Sequence, residues 1–362
     1  MPRSYRKLSI TKTSVVVAVA LLLLASACGS EDDGAGVRDL GAVDGSDSAS
    51  ASASAVSGSE SSGSSSAPAD GGATAAVDGD GGYEYASNVD SHRLLVADLC
   101  GIGDLLDAGD FAAVEAIYSE GGNSVNSDGS VRTIAGFAES GERLHGLATY
   151  YGTPAPLDDF VTGALTGTDL FDGESDGVRA QGVEKGMQNQ VMVAWTVHEL
   201  NTAVDKAKEG DFDAGAVHNW DEGWAFFHGR EPGCGPISTG DKRAANFGTL
   251  AADGETALAN EAILAAMISG RDALRAGDAA GAKAAADEVV RNLVITYSQA
   301  AVRYASLIED DLAAEDDRSA EEHQAEGLAF WRVIEAYVAP VGADFDTVNA
   351  IFDLGQEPGA NG

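Results

Sequence analysis

The segment His218-Asn-Trp-Asp-Glu-Gly-Trp-Ala-Phe-Phe-His-Gly229 is the most unusual of the chain, setting His and acidic side chains among Trp and Phe. On a helix, His218 and Glu222 stand at i and i+4, on a face continued by Ala225 and Phe226, while Trp220, Trp224 and Phe227 form a neighbouring apolar stripe. Two groups able to ligate a cation thus share one wall beside a buried seam. A second copy follows about a hundred residues later: in Glu322-His-Gln-Ala-Glu-Gly-Leu-Ala-Phe-Trp331, Glu326 aligns with Glu222 and Glu322 with His218, and His323 adds an HxxE spacing. His198-Glu199 lies just upstream of the first copy and could face the same cavity. Asp221 is a further ligand, or a partner that orients the imidazoles from behind.

Carboxylates and imidazoles on facing helices suit iron and manganese, because oxygen ligands match hard ions and imidazole matches Fe(II). The expected ligands are His218, Glu222, Glu322, His323 and Glu326, then His198, Glu199 and Asp221, with Tyr297 and Tyr304 joining for a ferric ion. A second reading stays open, in which the repeated Glu-Gly-x-Ala-Phe is a packing device carried along by duplication. The order HxxxE and HxxE departs from the ExxH of ferritin-like di-iron proteins and speaks against an oxidase. His92, His145 and His228 read as surface or loop histidines. No GxSxG elbow, Walker loop, HExxH or strand-led GxGxxG is present, so the expectation is a non-catalytic protein.

The elements that must hold these residues are helical. Ala108-Gly-Asp110, Glu209-Gly-Asp211 and Ala276-Gly-Asp278 each separate two helix-like runs, with Gly109, Gly210 and Gly277 ending one helix and the Asp capping the next. Apolar residues recur at helical spacing on both sides of each turn, from Leu94 to Leu106, from Val191 to Val204 and from Ala279 to Leu312, and a last helix runs from about Ala320 to Val338. Strand signals are almost absent. The expected fold is all-α: an internally duplicated helical-hairpin bundle over residues 89–345, with half-repeats of about 89–230 and 260–340. Residues 121–185 are rich in Gly and Asp and read as an irregular insertion, packed coil with one or two short helices. Residues 346–362 read as a tail.

Arg3, Arg6, Lys7 and Lys12 precede an apolar run from Val15 to Leu24, which leads through Ala25-Ser-Ala27 to Cys28. This resembles a bacterial lipoprotein signal: residues 1–28 form the leader, Cys28 takes the lipid, and the chain sits outside the cytoplasm, anchored to the cell membrane at the surface or in the periplasm. Residues 29–88 are Ser, Ala, Gly and Asp with hardly an aromatic, a composition that cannot offset chain entropy by burial, so a disordered tether is expected. The remaining cysteines, Cys100 and Cys234, suit one long-range disulfide, which stabilises by roughly 2–4 kcal/mol if unstrained. The formal net charge of −36 argues against nucleic acid as a partner. Acidity from salt adaptation and acidity for collecting cations are equally consistent with that number.

Two segments together, His218 to Gly229 and Asn126-Ser-Asp-Gly-Ser-Val-Arg132 followed by Gly136-Phe-Ala138, resemble the low-iron-inducible periplasmic proteins, the algal-type iron-assimilating proteins. The likeness covers roughly residues 90–340. It implies a secreted or surface-held protein that concentrates iron, here in a bacterial lipoprotein version with an iron transporter as partner, and it implies no ligand set. The alternatives are a scaffold lipoprotein that captures a protein or organic ligand, and an imelysin-like iron or haem lipoprotein. The latter expects GxHxxE, whereas Thr196-Val-His198-Glu-Leu lacks the glycine and the downstream Glu.

Overall fold

Each Gly-Asp turn ends one helix and begins the next through the same bonds. Gly109, Gly210 and Gly277 have φ of 72°, 90° and 76°, the left-handed region that a Cβ disfavours. The Gly277 N–H donates to Leu274 O and the Asp278 N–H to Ala273 O, and the equivalent pairs form at Gly109-Asp110 and Gly210-Asp211. Asp110, Asp211 and Asp278 then accept from the N–H groups of Ala113, Gly215 and Gly281. A fourth copy closes at Ala314-Glu-Asp316, where Glu315 takes φ of 61° and Asp316 caps Ser319.

A computed structural model describes residues 77–141, 143–341 and 345–360. An antiparallel hairpin, β1 (Val77–Asp80) and β2 (Tyr83–Tyr85), leads into α1 (Asp90–Leu95), α2 (Ile102–Asp107) and α3 (Phe111–Glu120). Next come α4 (Ile134–Ala138), α5 (His145–Tyr151), α6 (Pro156–Thr166) and α7 (Asp176–Lys185). A π-helical turn, Gly186–Val191, joins α7 to α8 (Met192–Lys208), and α9 (Val217–Phe227) returns along α8. The C-terminal half is α10 (Pro236–Phe247), α11 (Leu258–Arg275), the long α12 (Ala279–Ala313), α13 (Asp317–Val338) and α14 (Asp346–Ile351). α11 and α13 both pack along α12, and α13 also packs on α7. The protein is all-α apart from the one small sheet among the described residues. None of their helices is long and apolar enough to cross a membrane.

Two hydrophobic cores form, and α9 is their shared wall. Trp220, Trp224 and Phe227 enter a core with Leu200, Val289, Leu293 and Ile334. Phe226 enters another, with Trp195, Leu95, Ile134, Phe160 and Phe171. The glycines of the duplicated motif serve close approach. A Cβ on Gly223 would meet Leu200 at 3.1 Å, and one on Gly327 would meet the Phe352 ring at 2.1 Å.

The structure corrects four expectations. The tether was expected to run to residue 88, but residues 77–88 belong to the folded part: Tyr83 is 0 % and Tyr85 5 % exposed, and these two aromatics supply the burial the preceding composition lacks. Residues 121–185 hold four helices, α4 to α7, rather than packed coil. Their local signals are Thr133 and Ser175 as side-chain caps, Pro156 in the first turn of α6, and left-handed Gly152 and Gly167 as terminators. The expected tail is packed as well: Phe352 is 1 % exposed, and Gln324 Nε2 donates to the carbonyls of Ile351 and Asp353. The apolar run from Leu94 to Leu106 is broken at Gly101, with φ of 81°, beside the disulfide that joins Cys100 to Cys234. Cys28 and the leader lie outside the described residues.

Glu315 carries a Cβ in a conformation that costs an L-residue about 1 kcal/mol. Glu315→Gly should therefore stabilise the domain by up to about that amount, read as a higher urea midpoint with an unchanged m-value.

Candidate functional site

α9 places His218, Asn219 and Glu222 on one face, as helical spacing requires. His218 Nε2 lies 3.2 Å from Glu222 Oε1. His92, on α1, brings its Nδ1 to 3.3 Å from the same oxygen. Two imidazoles from elements far apart in sequence thus converge on a single carboxylate oxygen. From α8, Glu199 reaches the other side of the pair: Asn219 Nδ2 donates to Glu199 Oε2 in a short bond and to Glu222 Oε2 at 3.1 Å, while its Oδ1 accepts from Lys206 Nζ at 2.7 Å.

The surroundings are aromatic, and the cluster is buried except at His218, whose side chain is 40 % exposed. His92 is 8 %, Glu222 8 % and Glu199 2 % exposed. Phe137 packs its ring edge-on against Trp195 at 4.8 Å and Phe226 at 5.0 Å, and the His92 ring sits against Phe226 at 5.5 Å. Arg132 binds Ser91 Oγ at 2.6 Å and its charge acts on Glu222. Arg143 stacks over Trp195, 4.7 Å from the ring centroid.

Asp221 faces away from the cluster and holds it from behind. It accepts from Tyr83 OH (2.7 Å), Ala86 N (2.9 Å), Ser87 N (2.7 Å) and Ser87 Oγ (2.7 Å), which occupies the acceptor capacity of a carboxylate. Because the Ser87 hydroxyl donates to Asp221, its oxygen is free to accept from His218 Nδ1 at 3.0 Å. That bond fixes the proton on Nδ1 and leaves Nε2 directed at Glu222. Asp221 is therefore a partner of the site and not a ligand within it.

Each ionisable group is shifted by a nameable cause. Burial lowers His92 to about 4, despite the opposing charge of Glu222, and lowers His198 to about 4, with Arg143 adding to the effect. The hydrogen bond to Glu222 raises His218. Burial and the Glu222 charge raise Glu199. Burial also works against ionising Glu222, but the hydrogen bond from His218 overcomes it and holds that carboxyl low. Near neutral pH the cluster therefore presents one ionised carboxylate, one protonated carboxyl and neutral imidazoles at His92 and His198.

Of the sequence-predicted residues, the structure brings His218, Glu222 and Glu199 together. His198 is one position along, stacked edge-on with Trp195 at 4.9 Å, with its Nε2 3.5 Å from Thr202 Oγ1. The second copy is elsewhere and is paired off. Glu326 accepts from Tyr304 OH at 2.5 Å and lies 3.6 Å from Lys185 Nζ. His323 bonds Asp311 at 2.5 Å, and Glu322 bonds Arg318 at 2.9 Å. Tyr297 donates to Asn189 at 2.8 Å. Reading His92 as a surface or loop group is corrected too, since it is in the cluster; His228 does stand in the turn that ends α9, but buried, 7 % exposed, and stacked on Trp224 at 5.2 Å. Only position hinted at His92, beside the apolar Leu94 and Leu95 of the first helical run. Asn219 stood in view inside the motif, where its amide matches the Glu222 carboxylate at i, i+3.

Among the described residues, no group of three or more His, Cys, Asp or Glu side chains is arranged to hold a metal ion. What the site does have is two imidazole nitrogens, His92 Nδ1 and His218 Nε2, facing one carboxylate oxygen, Glu222 Oε1.

Fold and site together define an all-α domain with a buried histidine–carboxylate cluster at the seam between two cores. A family model described as low iron-inducible periplasmic protein matches residues 62–340, and the chain belongs to that family. No curated protein and no solved structure matches the chain. The two segments that carry the resemblance, His218 to Gly229 and Asn126 to Ala138, meet in space: Arg132 and Phe137 close over the His92–Glu222 pair.

His92 and His198 give a pH dependence with a definite sign. Each is lowered to about 4 when folded, against an ordinary value of 6.5, so between these values the unfolded chain binds the protons and the folded one does not. Stability is retained above about 6.5 and falls as pH drops toward 4. His198→Gln should flatten that fall, by up to about 1.4 kcal/mol per pH unit relative to the parent; urea unfolding at pH 7, 6, 5 and 4 reads it.

Proposed function

We propose that the chain binds iron outside the cytoplasm at His92, His218, Glu222 and Glu199, and holds it for uptake rather than transforming it. The observation that carries this reading is the convergence of His92 Nδ1 and His218 Nε2 on Glu222 Oε1, at 3.3 and 3.2 Å. Donors bound to one cation at about 2.0–2.2 Å stand roughly 3 Å apart, so an ion can enter between them with small side-chain movements. Mixed imidazole and carboxylate donors suit Fe(II), and Glu199 adds a second oxygen for a harder ion. The neutral His92 imidazole binds without a net loss of a proton, whereas engaging Glu199, or displacing the proton that His218 shares with Glu222, releases one. The iron-responsive description of the family supports the same assignment.

The second copy, Glu322, His323 and Glu326, fits the packing reading better, because each side chain already has a protein partner and Gly327 seats Phe352. The lipid on Cys28, the membrane anchor and an iron transporter that receives the ion complete the proposal. A neutral residue at Glu222 removes the negative charge that both imidazoles face.

Metal content by mass spectrometry, followed by Fe(II) and Fe(III) titration beside Mn, Zn and Ca, tests this. Glu222→Gln should abolish stoichiometric iron with the helical signal intact. Ser87→Ala, which frees the His218 ring, should weaken affinity about tenfold. Glu326→Gln should leave iron binding unchanged. Iron retained in Glu222→Gln, or lost only in Glu326→Gln, overturns the assignment.

A further inference from the structure

Asn219 divides the two carboxyls of the cluster between its own donors and an incoming ion. The residue is 6 % exposed, and its amide nitrogen donates both to Glu199 Oε2 and to Glu222 Oε2. The imidazoles of His92 and His218 face the other oxygen of Glu222, Oε1. A cation entering between the imidazoles therefore meets one oxygen of Glu222. At the second oxygen of each carboxyl stands an N–H, whose positive end opposes a cation there.

Lys206 decides which end of the amide faces inward. It is half-buried on α8, and its Nζ donates to Asn219 Oδ1 at 2.7 Å. An ammonium carries donors only, so an amide turned end for end would set N–H against N–H at Lys206 and oxygen against carboxyl within the cluster. The lysine stem reaches that position across Gly215, in the π-helical turn that precedes α9, where a Cβ would meet Lys206 Cδ at 2.9 Å. The third oxygen of the neighbourhood is thus held outside the site.

We propose that Asn219, held by Lys206, is the residue that sets the site against calcium. This rests on the assignment of iron to the same site. Calcium takes about six to eight oxygens and commonly engages a carboxylate through both of its own. With Asn219 in place the cluster offers two imidazole nitrogens and single carboxylate oxygens, a set that suits Fe(II) and leaves calcium short of ligands. Outside the cytoplasm calcium is the abundant hard competitor, so an amide that keeps oxygens occupied, rather than one that supplies another, favours the ion present at lower concentration.

The test is anaerobic calorimetric titration of the full chain with Fe(II), and separately with Ca(II), the readout being the ratio of the two affinities. Asn219→Leu, similar in size and lacking both donors, should move that ratio toward calcium by at least about tenfold, the scale of one hydrogen bond to a charged group. Lys206→Met, which lets the amide turn its oxygen inward, should move it in the same direction by less, and Lys206→Arg should keep the parent ratio. An unchanged ratio in both Asn219→Leu and Lys206→Met overturns the proposal, as does an equal loss of both affinities, which is the result of damaged packing alone. If circular dichroism shows that Asn219→Leu does not fold, Lys206→Met, at a half-buried position, decides by itself. A parent chain that binds no Fe(II) overturns the iron assignment and not the role of the amide: calcium binding gained in Asn219→Leu and lost again on adding Glu222→Gln still supports that role, and no gain overturns it.

Discussion

Asp221 is a carboxylate with 0 % exposure and no Lys or Arg paired to it among the described residues. Burying such a group is unfavourable unless hydrogen bonds replace its lost water, and all four of the donors that do so come from one short segment, Tyr83 to Ser87. That requirement pins the β1–β2 hairpin and the residues after it across α9. Ser87 is then held where its oxygen can meet His218, and His218 where its Nε2 meets Glu222. The cluster is built outward from a charge that takes no part in it, so the placement of each imidazole is inherited from a constraint one layer deeper.

The position of α9 between two cores explains why the cluster has the protonation it does. Trp220 and Trp224 fill one side and Phe226 the other, so Glu199 and Glu222 share a volume with little water in it. Two like charges cannot both persist there. The imidazoles decide which carboxyl ionises, because His218 and His92 approach Glu222 and not Glu199. Asn219 then serves both, donating to each carboxyl while Lys206 steadies its oxygen.

How much of this was legible in the sequence depends on the range of each signal. Helix ends were readable because Gly and Asp act within a few residues, and the turn at Ala314-Glu-Asp316 escaped only because Glu315 adopts the left-handed conformation without being glycine. The i, i+4 pair of His218 and Glu222 was readable for the same reason. The contribution of His92 was not, since it comes from packing across 130 residues and no local pattern encodes it. The insertion concealed its helices because α4 and α5 are too short to show a period, although their caps were visible one by one. In the second copy the letters of the motif match while the surroundings differ: Glu326 faces Tyr304 and Lys185, where Glu222 faces two imidazoles. Sequence similarity between the copies recorded the shared hairpin packing and not a shared site.

The disulfide gives this arrangement a dependence on where the chain matures. Cys100 lies eight residues beyond His92 and Cys234 twelve beyond Glu222, and the bond joins positions 134 apart in the sequence. It therefore fastens the two stretches that carry the converging side chains, next to where Gly229 and Gly235 press on Val96. In an oxidising compartment the covalent link makes that long-range encounter effectively local. In a reducing cytosol the same polypeptide keeps its hairpins, whose contacts are near in sequence, but must bring His92 to Glu222 by noncovalent packing alone. Compartment thus selects for the chain in which the two halves of the cluster are held together, and an encounter across 130 residues is one that an oxidising compartment reinforces.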